Sequence, residues 1–388
     1  MRENFLLPEM SSPSLPTQSR IHFIDAARAV AILLMLEGHF IHLTLQPEYR
    51  DLTHPVYATW HFIRGLTAPL FFSVTGVIFV FLLSRSQDPP RFWGNRRVKR
   101  GFKRAFELLF WGYLLQANVL HFNEYLNGTF SNWNFAFHVL QCIGVGIMLL
   151  LLLYGLFILF KNGPLFLYYM LAGVVVFALY PSFKTLPPDQ YFPPHCPELI
   201  QNLFHGPYSV FPLIPWTGFI LLGGAVGALI WDYRAYVRDR RFRLFMILSG
   251  VCVCFLTHCA LYGVDFVFAG NKEWFVKSSG LIGRFGQVLI VLGLLMGTEK
   301  YFKRSDGLFL KFGQKTLPIY VIHVMILYSG FIGVGLNKVW MESLGPWEAT
   351  FGATLFIAFF VVLIHYFHHL ENAWVQVKKV LRVSFSRK

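Results

Sequence analysis

The chain has 388 residues, of which 55% are hydrophobic and 14% are charged, and its mean hydropathy is +0.51. Soluble domains carry about 25% charged residues, so this composition excludes an ordinary soluble domain and indicates a protein that lies in lipid. The net charge of +14 would allow a nucleic-acid partner, whereas five cysteines do not predict a disulfide framework.

Residues 1–20 are rich in Pro and Ser and lack a long apolar core, which predicts a mobile cytoplasmic tail and not a cleaved signal peptide. An all-α integral membrane domain is predicted over 21–371, because apolar segments of about 20 residues recur along it. A basic cytoplasmic tail, attracted to anionic lipid, is predicted over 372–388. The ten candidate spans are 22–45, 58–83, 104–121, 136–160, 164–181, 211–231, 243–262, 280–297, 315–333 and 348–370.

The distribution of Lys and Arg predicts the orientation of these spans, because cytoplasmic loops are enriched in both residues. With the N-terminus in the cytoplasm, 25 of the 34 basic residues fall in inward-facing segments and 5 fall in outward-facing segments. This asymmetry favours about ten helices with both termini inside. Since orientation accounts for the net charge, no nucleic-acid partner is predicted.

The first span, DAARAVAILLMLEGHFIHLTL (25–45), carries five ionisable residues in a segment where each charge costs about 2.5 kcal/mol or more. Arg28 and His39 are separated by about 20° beyond three full helical turns, so they share a face about 16 Å apart along the axis. Asp25 and His42 lie on the same stripe, and Glu37 lies on the opposite side. Ionisable groups on one face of a membrane helix are typical of a water-filled path or a binding site.

The chemistry of this stripe has two interpretations. A histidine has an ordinary pKa of about 6.5 and can act as a general base, and an arginine suits a phosphate or carboxylate ligand. Alternatively, Asp25 and Arg28 form a pair that anchors the helix at the interface, and His39 hydrogen-bonds to a neighbouring helix.

The opening segment RIHFIDAARAVAILLMLEGHF (20–40) resembles that of the transmembrane acyltransferases. Arg28 and His39 match the R-x10-H motif of acyltransferase family 3. Other stretches are more similar to the bacterial relatives of heparan-alpha-glucosaminide N-acetyltransferase. These stretches are FIRGLTAPLFFSVTGVIFVFLL (62–83), HVLQCIGVGIMLL (138–150), VFPLIPWTGFILLGGAVG (210–227) and FGQKTLPIYVIH (312–323).

The resemblance implies an integral membrane acyltransferase. It would take acyl-CoA, with acetyl-CoA expected, from the cytoplasm and pass the acyl group to a hydroxyl or amine of an acceptor, commonly a sugar, on the far side. It makes His39 the catalytic histidine and Arg28 a donor-side residue, with Asp25 beside it. Acyl-CoA would be a co-substrate, so no resident cofactor is expected. Direct transfer and an acyl-enzyme on His39 both stay open.

Basic and polar residues elsewhere supply further candidates. Because coenzyme A carries several phosphates, the cationic loop 91–104 is predicted to bind it through Arg97, Arg100 and Arg104, although orientation alone also explains a basic loop. A hydrogen-bond donor near His39 must stabilise the developing oxyanion. The candidates for this donor and for acceptor binding are Arg64, Gln141, His323 and Arg284.

A transporter or exporter that uses the Asp25, Arg28 and His39 stripe as a translocation path is the main alternative function. Internal repeats, which many transporters contain, are not visible in this sequence. A metal site is not predicted, since the cluster of His365, His368 and His369 has no supporting carboxylate or cysteine pattern. The protein is expected in the cytoplasmic (inner) membrane of the cell, and a homo-oligomer stays open.

Overall fold

A computed structural model describes residues 21–86, 92–160, 162–185, 192–193, 195–204, 208–267, 272–302 and 307–386. The predicted N-terminal tail, 1–20, lies outside this part of the chain. Within the described residues the α-helices are α1 (His22–Thr44), α2 (Pro55–Arg64), α3 (Thr67–Arg85), α4 (Arg96–Gln116), α5 (Phe122–Leu126), α6 (Val139–Phe160), α7 (Leu165–Thr185), α8 (Glu198–Phe204), α9 (Leu213–Asp232), α10 (Arg240–Val267), α11 (Lys272–Gly297), α12 (Glu299–Phe302), α13 (Leu308–Gln314), α14 (Thr316–Tyr328) and α15 (Pro346–Ser386).

The predicted all-α membrane fold is confirmed. Within the described ranges there is no β-strand, and seven helical segments are long and apolar enough to cross a bilayer. A further apolar helix, Thr316–Tyr328, is shorter than these seven. Ten crossings and the cytoplasmic position of both termini stay predictions. The seven segments are Pro55–Arg85, Asn132–Phe160, Leu165–Lys184, Leu213–Asp232, Arg240–Ala260, Ser279–Gly297 and Pro346–Phe367.

The structure corrects several predicted boundaries. The second span is divided into α2 and α3 at a turn over 65–66, and the ninth span, predicted over 315–333, is the shorter helix α14, which ends at Tyr328. The predicted basic loop is partly helical, because α4 begins at Arg96, where the Asn95 side chain caps the helix by accepting from the Arg97 N–H at 2.8 Å. The helix α15 continues through the predicted domain limit at residue 371.

The centre of the fold is the packing of α3 against α9. Of the seven spans, α9 is the most enclosed by other helices. Close approach of the two helices depends on glycine. A Cβ atom at Gly223 would lie 2.0 Å from the carbonyl oxygen of Ser73, so no larger residue fits there. On the other side of this pair, α1 packs against α3, α13 and α15, which places its polar stripe inside the bundle.

The C-terminal end of α1 is tied to the segment 329–345, which follows α14. The Gln46 N–H donates to the Leu344 carbonyl at 3.0 Å, and the Leu344 N–H donates to the Thr44 carbonyl at 2.8 Å. Arg50 donates to the carbonyls of His42 and Leu45 and forms a 3.1 Å ion pair with Glu342. These contacts hold the ends of α1 and α14 next to each other.

Candidate active site

Two histidines from α1 and α14 form the centre of the candidate site. Nδ1 of His39 lies 3.0 Å from Nε2 of His323, and the two rings stack with their planes at 28°. His323 is fully buried, whereas His39 is half-buried. Tyr328 packs edge-on against His39, and Tyr320 packs edge-on against His323. Since Nδ1 of His39 faces His323, Nε2 is the nitrogen that remains for chemistry.

His39 lies where two cavities meet. The large cavity, of about 800 Å³, is enclosed by the ends of α1, α2, α4, α6 and α14 and by the segments that flank them. The small cavity, of about 150 Å³, lies between α1, α3 and the α2–α3 turn. The linings of the two cavities have five residues in common, which are His39, Arg64, Val139, Phe211 and Tyr320.

Arg64 reaches this junction from the last residue of α2. It packs against Gly38 of α1, where a Cβ atom would be in ordinary van der Waals contact with the Arg64 Cγ at 3.4 Å. The guanidinium lies 5.6 Å from the centre of the Trp60 ring. Trp60 donates through Nε1 to the Glu37 carboxylate at 2.6 Å. Glu37, on the opposite face of α1 from His39, therefore fixes the helix that carries Arg64.

Two glutamine amides form one wall of the large cavity. Nε2 of Gln141 donates to Oε1 of Gln116 at 3.1 Å, and Nε2 of Gln116 donates to the Ala136 carbonyl at 2.8 Å. Within the part of the chain that the structure describes, Oε1 of Gln141 and Nε2 of His138 are buried without a hydrogen-bond partner. Both residues line the large cavity, but these two atoms are themselves covered by protein.

A family model for the catalytic domain of heparan-alpha-glucosaminide N-acetyltransferase matches residues 20–258, which is more than half of the chain. The chain belongs to this family. The protein is therefore a multi-pass membrane protein with an acetyltransferase domain. None of the curated proteins compared with the chain matches it. The resemblance to acyltransferase family 3 stays a prediction.

The N-terminal part of α1 also contacts the α13–α14 segment, away from both cavities. Nη2 of Arg28 donates to Oγ1 of Thr316 at 2.8 Å. Asp25 is buried, and its carbonyl oxygen is so close to α13 that a Cβ atom at Gly313 would approach it to 2.0 Å. Neither Asp25 nor Arg28 lines the large or the small cavity. In this acetyltransferase family member, the stripe predicted from the sequence thus divides into a cavity end and a packed end.

The structure separates the remaining predicted residues. Arg64 and Gln141 line the large cavity together with His39, and His323 lies behind His39. Arg284 is outside both cavities, where it donates to the Phe62 carbonyl at 3.2 Å. The predicted coenzyme A ligands occupy the first turns of α4, also outside both cavities. Arg100 is exposed there, Arg97 is half-buried, and Arg104 pairs with Glu107 at 2.9 Å.

Three side chains of the site escaped the sequence analysis. Gln116, Tyr320 and Tyr328 contact Gln141, His323 and His39 respectively. Tyr320 carries a weak sequence signal, because it lies three residues before His323 on one helix and so faces the same side. Gln116 and Tyr328 end their helices, where polar and aromatic residues are common, and nothing in the sequence distinguishes them.

Proposed function

We propose that this protein is an acetyltransferase that moves an acetyl group from acetyl-CoA to a hydroxyl or amine of a carbohydrate, with His39 as the general base. The observation that carries the proposal is the position of His39 at the junction of two cavities, beside Arg64, in a member of an acetyltransferase family. The acceptor occupies the large cavity, and the thioester carbonyl lies at the junction of the two cavities, between His39 and Arg64.

The residues around His39 suit each step of an acyl transfer. Nε2 of His39 removes the proton from the acceptor hydroxyl or amine as its oxygen or nitrogen attacks the thioester carbon. The new C–O or C–N bond forms while negative charge develops on the carbonyl oxygen, next to the Arg64 guanidinium. The C–S bond then breaks, and the coenzyme A thiolate takes the proton from His39.

His323 has a supporting role in this scheme. For Nε2 of His39 to accept a proton, Nδ1 must carry one, and it donates that proton to Nε2 of His323 at 3.0 Å. The hydrogen bond fixes the ring and its tautomer, as the third member of a catalytic triad does. Because His323 is fully buried and edge-packed by Tyr320, its own ring has a defined orientation.

The large cavity has the composition of a carbohydrate site. Its lining combines aromatic rings, such as Trp133 and Tyr125, with the amide side chains of Gln116, Asn134 and Gln141. Amides supply donors and acceptors for sugar hydroxyls.

Coenzyme A phosphates are assigned to Arg97, Arg100 and Arg104 in this proposal. These residues precede Gln116, which lines the large cavity, by 12 to 19 positions on α4, or about 18 to 28 Å along the helix. They can therefore contact only the nucleotide end of the donor. Their basic cluster supports a cytoplasmic position for this end of α4, and in this proposal the acceptor cavity opens on the other side of the cytoplasmic membrane of the cell.

Acetyl transfer by the purified full-length protein in liposomes tests the proposal. We expect label from radioactive acetyl-CoA on a panel of sugars and amino sugars, with coenzyme A thiol released in equal amount. Protein that binds no acetyl-CoA and releases no thiol contradicts the proposal. Accumulation of a sugar inside the liposomes without any coenzyme A ester would instead favour the transporter.

A further inference from the structure

The small cavity has a polar end and an apolar end. At the polar end lie His39 and Arg64, at the junction with the large cavity. The apolar end is formed by one turn of α1 and one turn of α3, and its walls are the side chains of Leu34, Met35, Ala68, Phe71 and Phe72. Phe72 is fully buried against Phe211 and Trp216, which makes that wall rigid.

The helix directions place the apolar end on the donor side of His39. Leu34 and Met35 precede His39 by about one turn of α1, and they therefore lie nearer the N-terminal end of that helix. The large cavity, by contrast, is bordered by residues near the C-terminal end of α1, such as His42. A group that fills the small cavity approaches His39 from the side opposite to the acceptor.

We propose that the small cavity is an acyl pocket, which holds the alkyl chain of the donor while its thioester carbonyl lies between His39 and Arg64. This inference rests on the proposed function and adds the class of acyl group that the site accepts. Met35, Ala68 and Phe71 set the longest chain. The cavity has the volume of an apolar protein cavity that binds benzene, so it admits chains of up to about six carbons.

The chemistry of the walls favours an acyl chain over the other groups that can reach this position. A sugar placed between Met35 and Phe71 would lose the hydrogen bonds of its hydroxyls, which is unfavourable. A methylene placed there gains about fourfold in binding.

Chain-length selectivity of the full-length protein tests the pocket. The ratios of kcat/KM for acetyl-, butyryl-, hexanoyl- and decanoyl-CoA are measured with one acceptor. We expect the parent to use acetyl through hexanoyl donors and to discriminate strongly against decanoyl. Phe71→Ala enlarges the pocket and should raise the decanoyl-to-acetyl ratio about tenfold, whereas Ala68→Leu fills it and should lower the hexanoyl-to-acetyl ratio about tenfold.

Phe79→Ala is the matched control, because Phe79 is a half-buried phenylalanine on the same helix that lines neither cavity. It should leave the ratios unchanged. Folding of each variant is checked by gel filtration and thermal unfolding, and Met35→Ala replaces Phe71→Ala if the latter does not fold. Ratios that are the same in the enlarged and filled variants as in the parent overturn the acyl pocket.

A binding measurement separates the pocket from the reaction. Thermal stabilisation of the protein is compared for coenzyme A and hexanoyl-CoA in the absence of an acceptor. Stronger stabilisation by hexanoyl-CoA that disappears in Ala68→Leu supports the pocket even if no donor is turned over, and only the proposed function then fails. Equal stabilisation by both compounds, or none by either, overturns the pocket.

Discussion

The two ends of α1 contact the same neighbouring segment through polar side chains but have different surroundings. Near its N-terminal end, Arg28 donates to Thr316 at 2.8 Å, in a region packed closely enough that Gly313 admits no Cβ atom. Near its C-terminal end, His39 lies 3.0 Å from His323 and borders two cavities. A polar residue in a membrane helix can hold neighbouring helices together or take part in a reaction. In α1 the two roles are distinguished by the cavities, which border His39 but not Arg28.

The packed end also supports the cavity end. Thr316 and His323 are seven residues apart on α14, which is about two turns, so they face the same side of that helix. A shift of α1 along α14 would break both polar contacts together. The close approach at Gly313 opposes such a shift, and this keeps His39 in register with His323.

The largest effect is expected at the cavity end. His39→Ala removes the general base and should lower acetyl transfer about 10²- to 10⁴-fold. It also leaves Nε2 of the fully buried His323 without its partner, which should cost about 1 to 3 kcal/mol of stability. Activity is measured as labelled acceptor formed per folded protein. The exposed His54, which lines neither cavity, supplies the control variant His54→Ala. Full activity of folded His39→Ala would contradict the assignment of the base.

Arg64 and Arg284 allow a test between two arginines that the sequence does not distinguish. Arg64→Gln removes the charge at the junction of the cavities and should lower kcat about 10²- to 10³-fold, as the loss of an oxyanion donor does. Arg284→Gln, outside both cavities, removes a donor to the Phe62 carbonyl near the α2–α3 turn and should lower kcat by about tenfold or less, through the position of Arg64. Steady-state kinetics of the two purified variants compare them. Equal losses of kcat in the two variants would mean that catalysis depends on positive charge near the site and not on contact of Arg64 with the oxyanion.

His323→Ala tests the positioning role of the second histidine. Loss of a hydrogen bond to a charged group costs about 1.5 to 3 kcal/mol, or about 10- to 150-fold in kcat. His323→Gln, which can place its Oε1 near the former Nε2, should restore part of this loss. The pH dependence of kcat/KM distinguishes the roles: loss of positioning moves the midpoint of the acid limb, whereas a packing defect lowers only the plateau.

Hydropathy predicted where the helices lie but not where they break. Each of the ten predicted spans overlaps a helix. The break between α2 and α3, however, occurs inside one apolar stretch, and it decides the site because it puts Arg64 at a helix end beside His39. The turn over 65–66 is stabilised by contacts with other helices, such as that of the Arg284 guanidinium beside Gly65, and such contacts leave no periodic signal in the sequence.

The helical period placed Arg28 and His39 on one face, and both contact α14. It placed Glu37 on the other side, where Glu37 binds Trp60 of α2. Which part of that face borders a cavity depends on distant residues, including Gln116, Gln141 and Tyr328. The sequence analysis named His323 as one of four candidates near His39, and the structure shows that it is the one whose ring pairs with that of His39.

The smallest effect on catalysis is expected at the packed end. Thr316→Val keeps the shape of the side chain but removes the acceptor of the Arg28 hydrogen bond, which should cost about 1 to 3 kcal/mol of stability. Transfer should fall by about twofold or less if the cavity end alone performs the chemistry. Thr354→Val is the matched control, because the Thr354 hydroxyl bonds only within its own helix and is exposed. A loss of transfer in Thr316→Val without a lower unfolding temperature would instead assign Arg28 to the donor site, as the resemblance to the transmembrane acyltransferases implies. The two ends of α1 would then act on one substrate.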